Sequence, residues 1–268
     1  MTDLNNAVVL ITGASGGFGR QMTRQFLEAG SRVLLTDIDV ATLESLVAEM
    51  QADSGQILGS VAADLADEAG CRKLYDGVQA CGYPPDILIN NAGIAVGGRF
   101  DHVPSARWEQ VMRLNLLAPM RLCYLFLPQM IERGSGHIVN ISSLAGWIGT
   151  SGIASYCATK FGLRGFSDSL AADYGDIGIR VSTVYPFFSR TPILNSEQFV
   201  YETRHEFPDD MVTDPADVVA EIVKGVKKNS RDIFPDKMSR RIHYLKRFLP
   251  WSIPLINRRM QERTMQDA

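Results

Sequence analysis

The chain has 268 residues, 46% hydrophobic and 21% charged, with a net charge of −3 at pH 7. That length suits a single sheet of about seven strands with covering helices, and the weakly acidic balance excludes a general nucleic-acid binder. Cys71, Cys81, Cys123 and Cys157 have neither CxxC nor metal-ligand spacing, so no metal site is expected and the thiols read as reduced, in a cytoplasmic protein. No basic segment with a long apolar run opens the chain, so no signal peptide is expected. No stretch reads as having the roughly 18 apolar residues that a membrane span needs.

The apolar run at residues 7–11 predicts a strand buried on both faces. It leads into Thr12-Gly13-Ala14-Ser15-Gly16-Gly17-Phe18-Gly19 and a helical pattern to residue 30. A second strand, 32–37, ends in Asp37; a helix over 41–51 and a third strand over 56–61 lead to Asp64 and Leu65. A helix over 67–80 precedes a fourth strand, 86–90, which closes on Asn90-Asn91-Ala92-Gly93. Residues 107–133 read as one long helix interrupted by Pro119, which has no N–H to donate to the Asn115 carbonyl.

A strand over 138–143 ends in the hydroxyls of Ser142 and Ser143, and a loop over 144–149 leads to a helix over 153–174. The small residues Ala158, Gly162 and Gly165 on that helix suit close packing against another helix. A sixth strand, 179–184, is followed by 187–211, which has no clean period and many large apolar residues. That stretch reads as a lid over an apolar pocket or as a surface helix pair. A helix over 214–227 and a short strand over 232–234 complete the pattern. Strands alternating with helices specify an α/β fold with a parallel, doubly wound sheet.

Three features carry chemistry. Strand, glycine loop and helix in succession make a phosphate cradle, because glycines allow close backbone approach and the helix N-terminus faces the anion; the plain alternative is a tight turn. Asp37, eighteen residues beyond Gly19, stands where a carboxylate can grip ribose hydroxyls. Tyr156 and Lys160 are four residues apart, one above the other on a helix face, with Ser143 thirteen residues before Tyr156. A nearby cation favours the phenolate, which lets a phenol exchange its proton near neutrality.

Together these elements resemble the short-chain dehydrogenase/reductase family over residues 7–233. Gly13, Gly17 and Gly19 fit its TGxxxGxG, residues 90–93 fit its NNAG, and Asn115, Ser143, Tyr156 and Lys160 fall where its catalytic four sit. The resemblance implies a Rossmann fold in one domain, residues 1–236, with the lid at about 187–212. It implies an oxidoreductase moving a hydride between a nicotinamide and a secondary alcohol or ketone. Tyr156 would be the general acid/base and Ser143 would hold the substrate oxygen. Lys160 would lower the tyrosine pKa and bind the nicotinamide ribose, while Asn115 would hold a relay water.

Cofactor contacts are expected from Gly13, Ser15, Gly17, Phe18, Gly19 and Asp37, from Asp64 and Leu65 at the adenine, and from Asn91, Ala92 and Gly93. Tyr156, Lys160, Pro186 and Thr191 would complete the nicotinamide end. One departure is that Phe187 stands where the family usually has glycine. NAD is expected over NADP. Asp37 would repel a 2′-phosphate by about 4 kcal/mol at ~4 Å and an effective dielectric near 20, and Ala14, Ser15, Gly16 and Ile38 are not basic. Arg20, inside the first helix, is a weaker base for that role.

The apolar residues of 187–211, with Trp147 and Ile148, suggest a hydrophobic substrate such as a steroid, retinoid or lipid-like alcohol. The alternative is a non-catalytic NAD-binding scaffold, whose mark would be loss of Tyr156 or Lys160. Homodimers or homotetramers through the long helices are implied by analogy. Residues 237–268 form a basic amphipathic tail: Lys237, Arg240, Arg241, Lys246, Arg247, Arg258, Arg259 and Arg263 oppose Glu262, around a stripe of Met238, Ile242, Leu245 and Leu249. Two readings stay open, a helix in a membrane interface and a terminal helix packed across the pocket mouth or a subunit contact.

Overall fold

The computed structural model describes residues 1–50, 55–199 and 211–265, with side chains to residue 259. Gln51, at the end of the expected second helix, and residues 200–210 of the expected lid lie outside the described residues.

Strand β1 (Val8–Thr12) is buried at every position and leads into α1 (Gly17–Glu28). β2 (Arg32–Asp37), α2 (Val40–Met50), β3 (Ile57–Ala62), α3 (Glu68–Cys81) and β4 (Ile87–Asn90) follow. Asp67 caps α3 by accepting from the Gly70 N–H at 2.6 Å, and Gly82 ends it at φ 76°, a left-handed conformation that glycine tolerates. The two-residue strand β5 (Gly97–Gly98) leads to α4 (Ser105–Met112) and α5 (Ala118–Arg133), joined by a π-helical turn, Arg113–Leu117. Then come β6 (Gly136–Ile141), α6 (Ala154–Tyr174), β7 (Ile179–Val184), β8 (Gln198–Phe199), α7 (Pro215–Lys227), β9 (Asp232–Ile233), α8 (Lys237–Phe248) and α9 (Ile253–Met265).

Seven of these strands pair in the order β3-β2-β1-β4-β6-β7-β9, all parallel. β5 and β8 pair separately, so the middle of the expected lid, at Gln198–Phe199, is held beside the segment after β4. Alternate residues of β1 face two cores. Val9 and Ile11 meet Met22, Phe26 and Val219 on one side, while Val8 and Leu10 meet Leu74, Leu122 and Phe126 on the other. Both faces being covered explains why the strands read as continuous apolar runs.

The expected interruption at Pro119 is a widening of the hydrogen-bond ladder rather than a break. The Ala118 N–H donates to the Arg113 carbonyl five residues back, so the helix continues through Pro119. The whole run Ser105–Arg133 is long and apolar enough to cross a membrane by length and composition, contrary to the expectation that no stretch is. It is nevertheless a core helix of the sheet, with Val111, Leu122, Cys123 and Phe126 buried. Of the small residues expected to pack α6 closely, only Gly162 does: a Cβ there would lie 2.9 Å from Leu116. Gly165 faces open space and Ala158 is exposed.

His137, buried in β6, lies 3.0 Å from Thr2 Oγ1 and 2.8 Å from Ser182 Oγ, and burial lowers its pKa to about 4. The unfolded chain therefore binds the proton more readily between about pH 4 and 6.5. This contribution to stability is whole above pH 6.5 and is lost as pH falls through that window, by roughly 3 kcal/mol at most. Urea unfolding at a series of pH values is expected to show the loss. The variant His137→Gln should be less stable at neutral pH and have a shallower acid slope; an unchanged slope would remove His137 from the account.

Candidate active site

At the end of β1 the chain makes a turn that only glycines fit. Gly13 has φ 63°, a Cβ at Gly17 would lie 2.5 Å from Thr191 Cγ2, and one at Gly19 would lie 2.0 Å from the Gly13 carbonyl. The first turn of α1 has no side-chain cap and no acidic residue, so its N–H groups and positive end are left for an anion. The Ser15 hydroxyl beside them is buried without a partner. Asp37, at the end of β2, accepts from the Ser15 and Ile38 N–H groups, each at 2.8 Å, and keeps lone pairs for further donors. An uncapped helix end, a glycine cradle, an orphan hydroxyl and a fixed carboxylate fit a dinucleotide. Arg20 donates to the Ser15 carbonyl at 3.0 Å and pairs with Glu49, so its charge is already matched.

The crevice is stitched where β1 and β4 end. Thr12 Oγ1 accepts from the Asn91 and Ala92 N–H groups at 2.9 and 3.0 Å. Asn91 Nδ2 donates to the carbonyls of Thr12 and Gly13 at 2.8 and 3.0 Å, so Asn91 supports the glycine loop from behind. Asn115, in the π-helical turn, is 1% exposed; its Oδ1 accepts from the Ile94 N–H at 2.9 Å and its Nδ2 donates to the Ile94 carbonyl at 2.8 Å. Its amide is therefore committed to a backbone clamp. What it leaves for a relay is its main-chain carbonyl, opposite the missing N–H of Pro119.

Tyr156 and Ser143 line the same cavity, and the Ser143 side chain lies close enough to the phenol to lower its pKa. Lys160 Nζ lies 5.4 Å from the Tyr156 ring centre and donates to the Ile141 carbonyl at 2.8 Å. The expected lowering of the tyrosine pKa by Lys160 is not the dominant effect here. Burial pushes the phenol up to about 12, the nearby Ser143 side chain offsets part of this, and burial brings the lysine down to about 8.

A cavity of about 820 Å³ runs from Asp37 and Asp64 past the glycine loop to Ser143, Tyr156 and Lys160. Phe18, Leu65, Ala92, Gly93, Pro186 and Thr191 line it as expected; Gly19 and Asn115 do not, because both are packed beneath its wall. Beyond Tyr156 the lining is Ile148, Ile153, Phe187, Phe188, Ile193 and Leu194. Trp147, expected beside Ile148, turns away instead. Its ring packs edge-on against Tyr185 and Phe234, at 5.3 and 5.2 Å, and the Arg164 guanidinium lies 3.8 Å from its centre. The sequence reading missed a polar group in the same wall: Arg107 and Glu197, paired at 2.6 Å, with Gln110 and Gln198. They come from segments 90 residues apart, and no local pattern marks them.

The sequence profile of the short chain dehydrogenase family matches residues 7–199. The chain belongs to the short-chain dehydrogenase/reductase family. Among its relatives, the probable oxidoreductase EphD of Mycobacterium tuberculosis is 33% identical over 72% of this chain, which spans only 33% of that protein's length. Human epidermal retinol dehydrogenase 2 is 31% identical over 93% of this chain and 80% of its own. A short-chain dehydrogenase from Sphingobium yanoikuyae, solved in complex with NADPH, superposes with a TM-score of 0.78 at 28% identity, covering 90% of this chain and 92% of that one. This seven-stranded sheet is thus the Rossmann-like domain of the family, and the family supports a nicotinamide cofactor without deciding between NAD and NADP.

Replacing Asn115 with Leu removes both bonds to Ile94 and leaves two part-buried backbone groups unpaired. A loss of about 2–4 kcal/mol in urea unfolding is expected. A loss below about 1 kcal/mol would show that Ile94 is satisfied without the clamp.

Proposed function

We propose that this chain is an oxidoreductase that transfers a hydride between a nicotinamide cofactor and a hydrophobic secondary alcohol or ketone, with Tyr156 as the general acid/base. The observation that carries this reading is the convergence of Tyr156, Ser143 and Lys160 on one cavity wall, with Lys160 one helical turn from Tyr156. When bound, the nicotinamide supplies or accepts the hydride. Tyr156 and Ser143 present two hydroxyls to one point, where a substrate oxygen would sit. Tyr156 gives its proton to a carbonyl oxygen in reduction, or takes the proton of an alcohol in oxidation. With its pKa raised, the phenol is protonated at neutral pH and ready for the reductive direction. Lys160 adds a buried positive charge behind it, held by the Ile141 carbonyl.

The substrate class rests on the lining. Ile148, Phe187, Phe188, Ile193 and Leu194 offer an apolar wall beside the two hydroxyls, and one relative carries the name retinol dehydrogenase. A steroid, retinoid or lipid-like alcohol fits that wall, with the Arg107–Glu197 pair set into it to meet a polar substituent. NAD(H) is the proposed cofactor. Asp37 is fixed at the end of β2 by two backbone donors, Ile38 follows it, and Arg20 is paired with Glu49.

A screen of hydrophobic alcohols and ketones with both cofactors tests these assignments. Turnover is expected with at least one such substrate, with a higher kcat/KM for NAD(H). In the variant Tyr156→Phe, cofactor binding should persist while kcat falls by roughly 10²–10⁴. Near wild-type turnover in that variant would remove Tyr156 from the reaction, and a higher specificity constant with NADP(H) would overturn the cofactor assignment.

A further inference from the structure

The stripe of Met238, Ile242, Leu245 and Leu249 turns inward along most of its length. Ile242 is 1% exposed and packs with Met238 and Ile253 against Leu144, Ile148 and Phe187, the last three being residues of the cavity wall. Polar contacts fix the segment there. Asp236 caps α8 by accepting from the Ser239 N–H at 2.7 Å, and it also accepts from the Phe187 N–H at 2.9 Å. Lys246 donates to the Trp147 carbonyl, and Asn257 to the Gly149 carbonyl at 2.7 Å. The inner face of α8 is therefore not available to a membrane.

Fixing that face leaves a second row outside. Lys237, Arg241, Tyr244 and Phe248 follow at spacings of four, three and four on α8. Tyr244 is 59% exposed and Phe248 69%; in the following turns Trp251 is 74% and Leu255 51% exposed. The rings of Tyr244 and Phe248 stack on each other at 6.5 Å in full view of solvent. Of the chain's 27 Lys and Arg, seven lie between residues 237 and 259, and none of its 30 Asp and Glu does, so the rest of the molecule is strongly acidic.

We propose that this outer face, from Lys237 to Leu255, docks on an anionic lipid bilayer. Exposed large apolar groups concentrated in a few turns mark an interaction surface. Aromatic rings with amphipathic character settle at headgroup depth, and basic side chains around them draw the face toward anionic lipid. The charge asymmetry directs this face toward such a surface. It also disfavours a second copy of the chain as the occupant, since two such faces would repel. The inference stands apart from the hydride-transfer reading, because binding is measured without turnover. If both hold, the apolar cavity wall lies one helix away from the bilayer, about 10 Å.

The experiment is co-sedimentation of the full chain with vesicles of phosphatidylcholine alone and of phosphatidylcholine with phosphatidylglycerol. Binding to the mixed vesicles is expected, with release by added salt. Phe248→Ser/Trp251→Ser should lower the partition coefficient by about tenfold or more. Arg241→Gln/Arg247→Gln should lower it by roughly thirtyfold, at about fivefold per basic residue. All four positions are exposed, and unchanged thermal melts would show that the variants fold. Any of several results overturns the proposal: a wild type that stays in the supernatant, variants that sediment equally with it, binding to duplex DNA that survives where vesicle binding fails, or light scattering in which the aromatic variant only dissolves a dimer.

Discussion

Everything at this site depends on buried polar groups that tie diverging strands together. β1 has β2 on one side and β4 on the other, and the chain leaves toward opposite edges from that point, which opens a crevice at the strands' carboxyl ends. An open crevice exposes backbone that would otherwise be paired. Thr12 and Asn91 close that deficit across β1 and β4. Beneath them Asn90 Nδ2 donates to Asn140 Oδ1 at 2.8 Å, and Asn140 Nδ2 donates to Ser167 Oγ at 2.8 Å. These bonds run through a low-dielectric interior, where a missing partner is costly. They fix β4, β6 and α6 in one register, which sets the spacing of everything above.

The two hydroxyls of the site come from different elements, and their meeting is enforced by a backbone contact. Ser143 follows β6; Tyr156 lies on α6. Between them Ser142 Oγ donates to the Lys160 carbonyl at 3.0 Å, and a Cβ on Gly146 would lie 2.6 Å from that same carbonyl. The loop after Ser143 can lie on α6 only because residue 146 is glycine. Lys160 is 4% exposed, so its charge acts in a medium that screens it poorly. The same burial lowers its own pKa and raises that of the phenol, so the two groups are driven apart in acidity, the phenol holding its proton more firmly and the ammonium less.

The C-terminal segment backs the site's wall. Trp147 sits in an aromatic group with Tyr185, Phe234 and His243, beneath α8. The loop that carries Ser143 is thus packed against the tail on one side and α6 on the other. Phe187 belongs to the same arrangement. Its N–H is held by Asp236 and its ring packs on Phe188 at 4.4 Å, so the position that is usually glycine in the family is here a fixed apolar surface.

The sequence alone determined the seven strands of the main sheet and the helices between them, because continuous apolar runs and helical periods follow directly from which faces are buried. It also determined the glycine cradle, Asp37 and the Ser143–Tyr156–Lys160 set, whose spacing is a local property of one loop, one strand end and one helix face. Tertiary structure alone decided where several side chains point. Asn115 clamps Ile94 because a π-helical turn rotates it toward the loop after β4. Trp147 leaves the cavity because Arg164 and two rings hold it elsewhere, and Arg107 meets Glu197 across 90 residues. The tail is the plainest instance. The spacing of Met238, Ile242 and Leu245 is the same whether the stripe meets lipid or protein, and only the packing of Leu144, Ile148 and Phe187 against Ile242 decides which face of the helix is left outside.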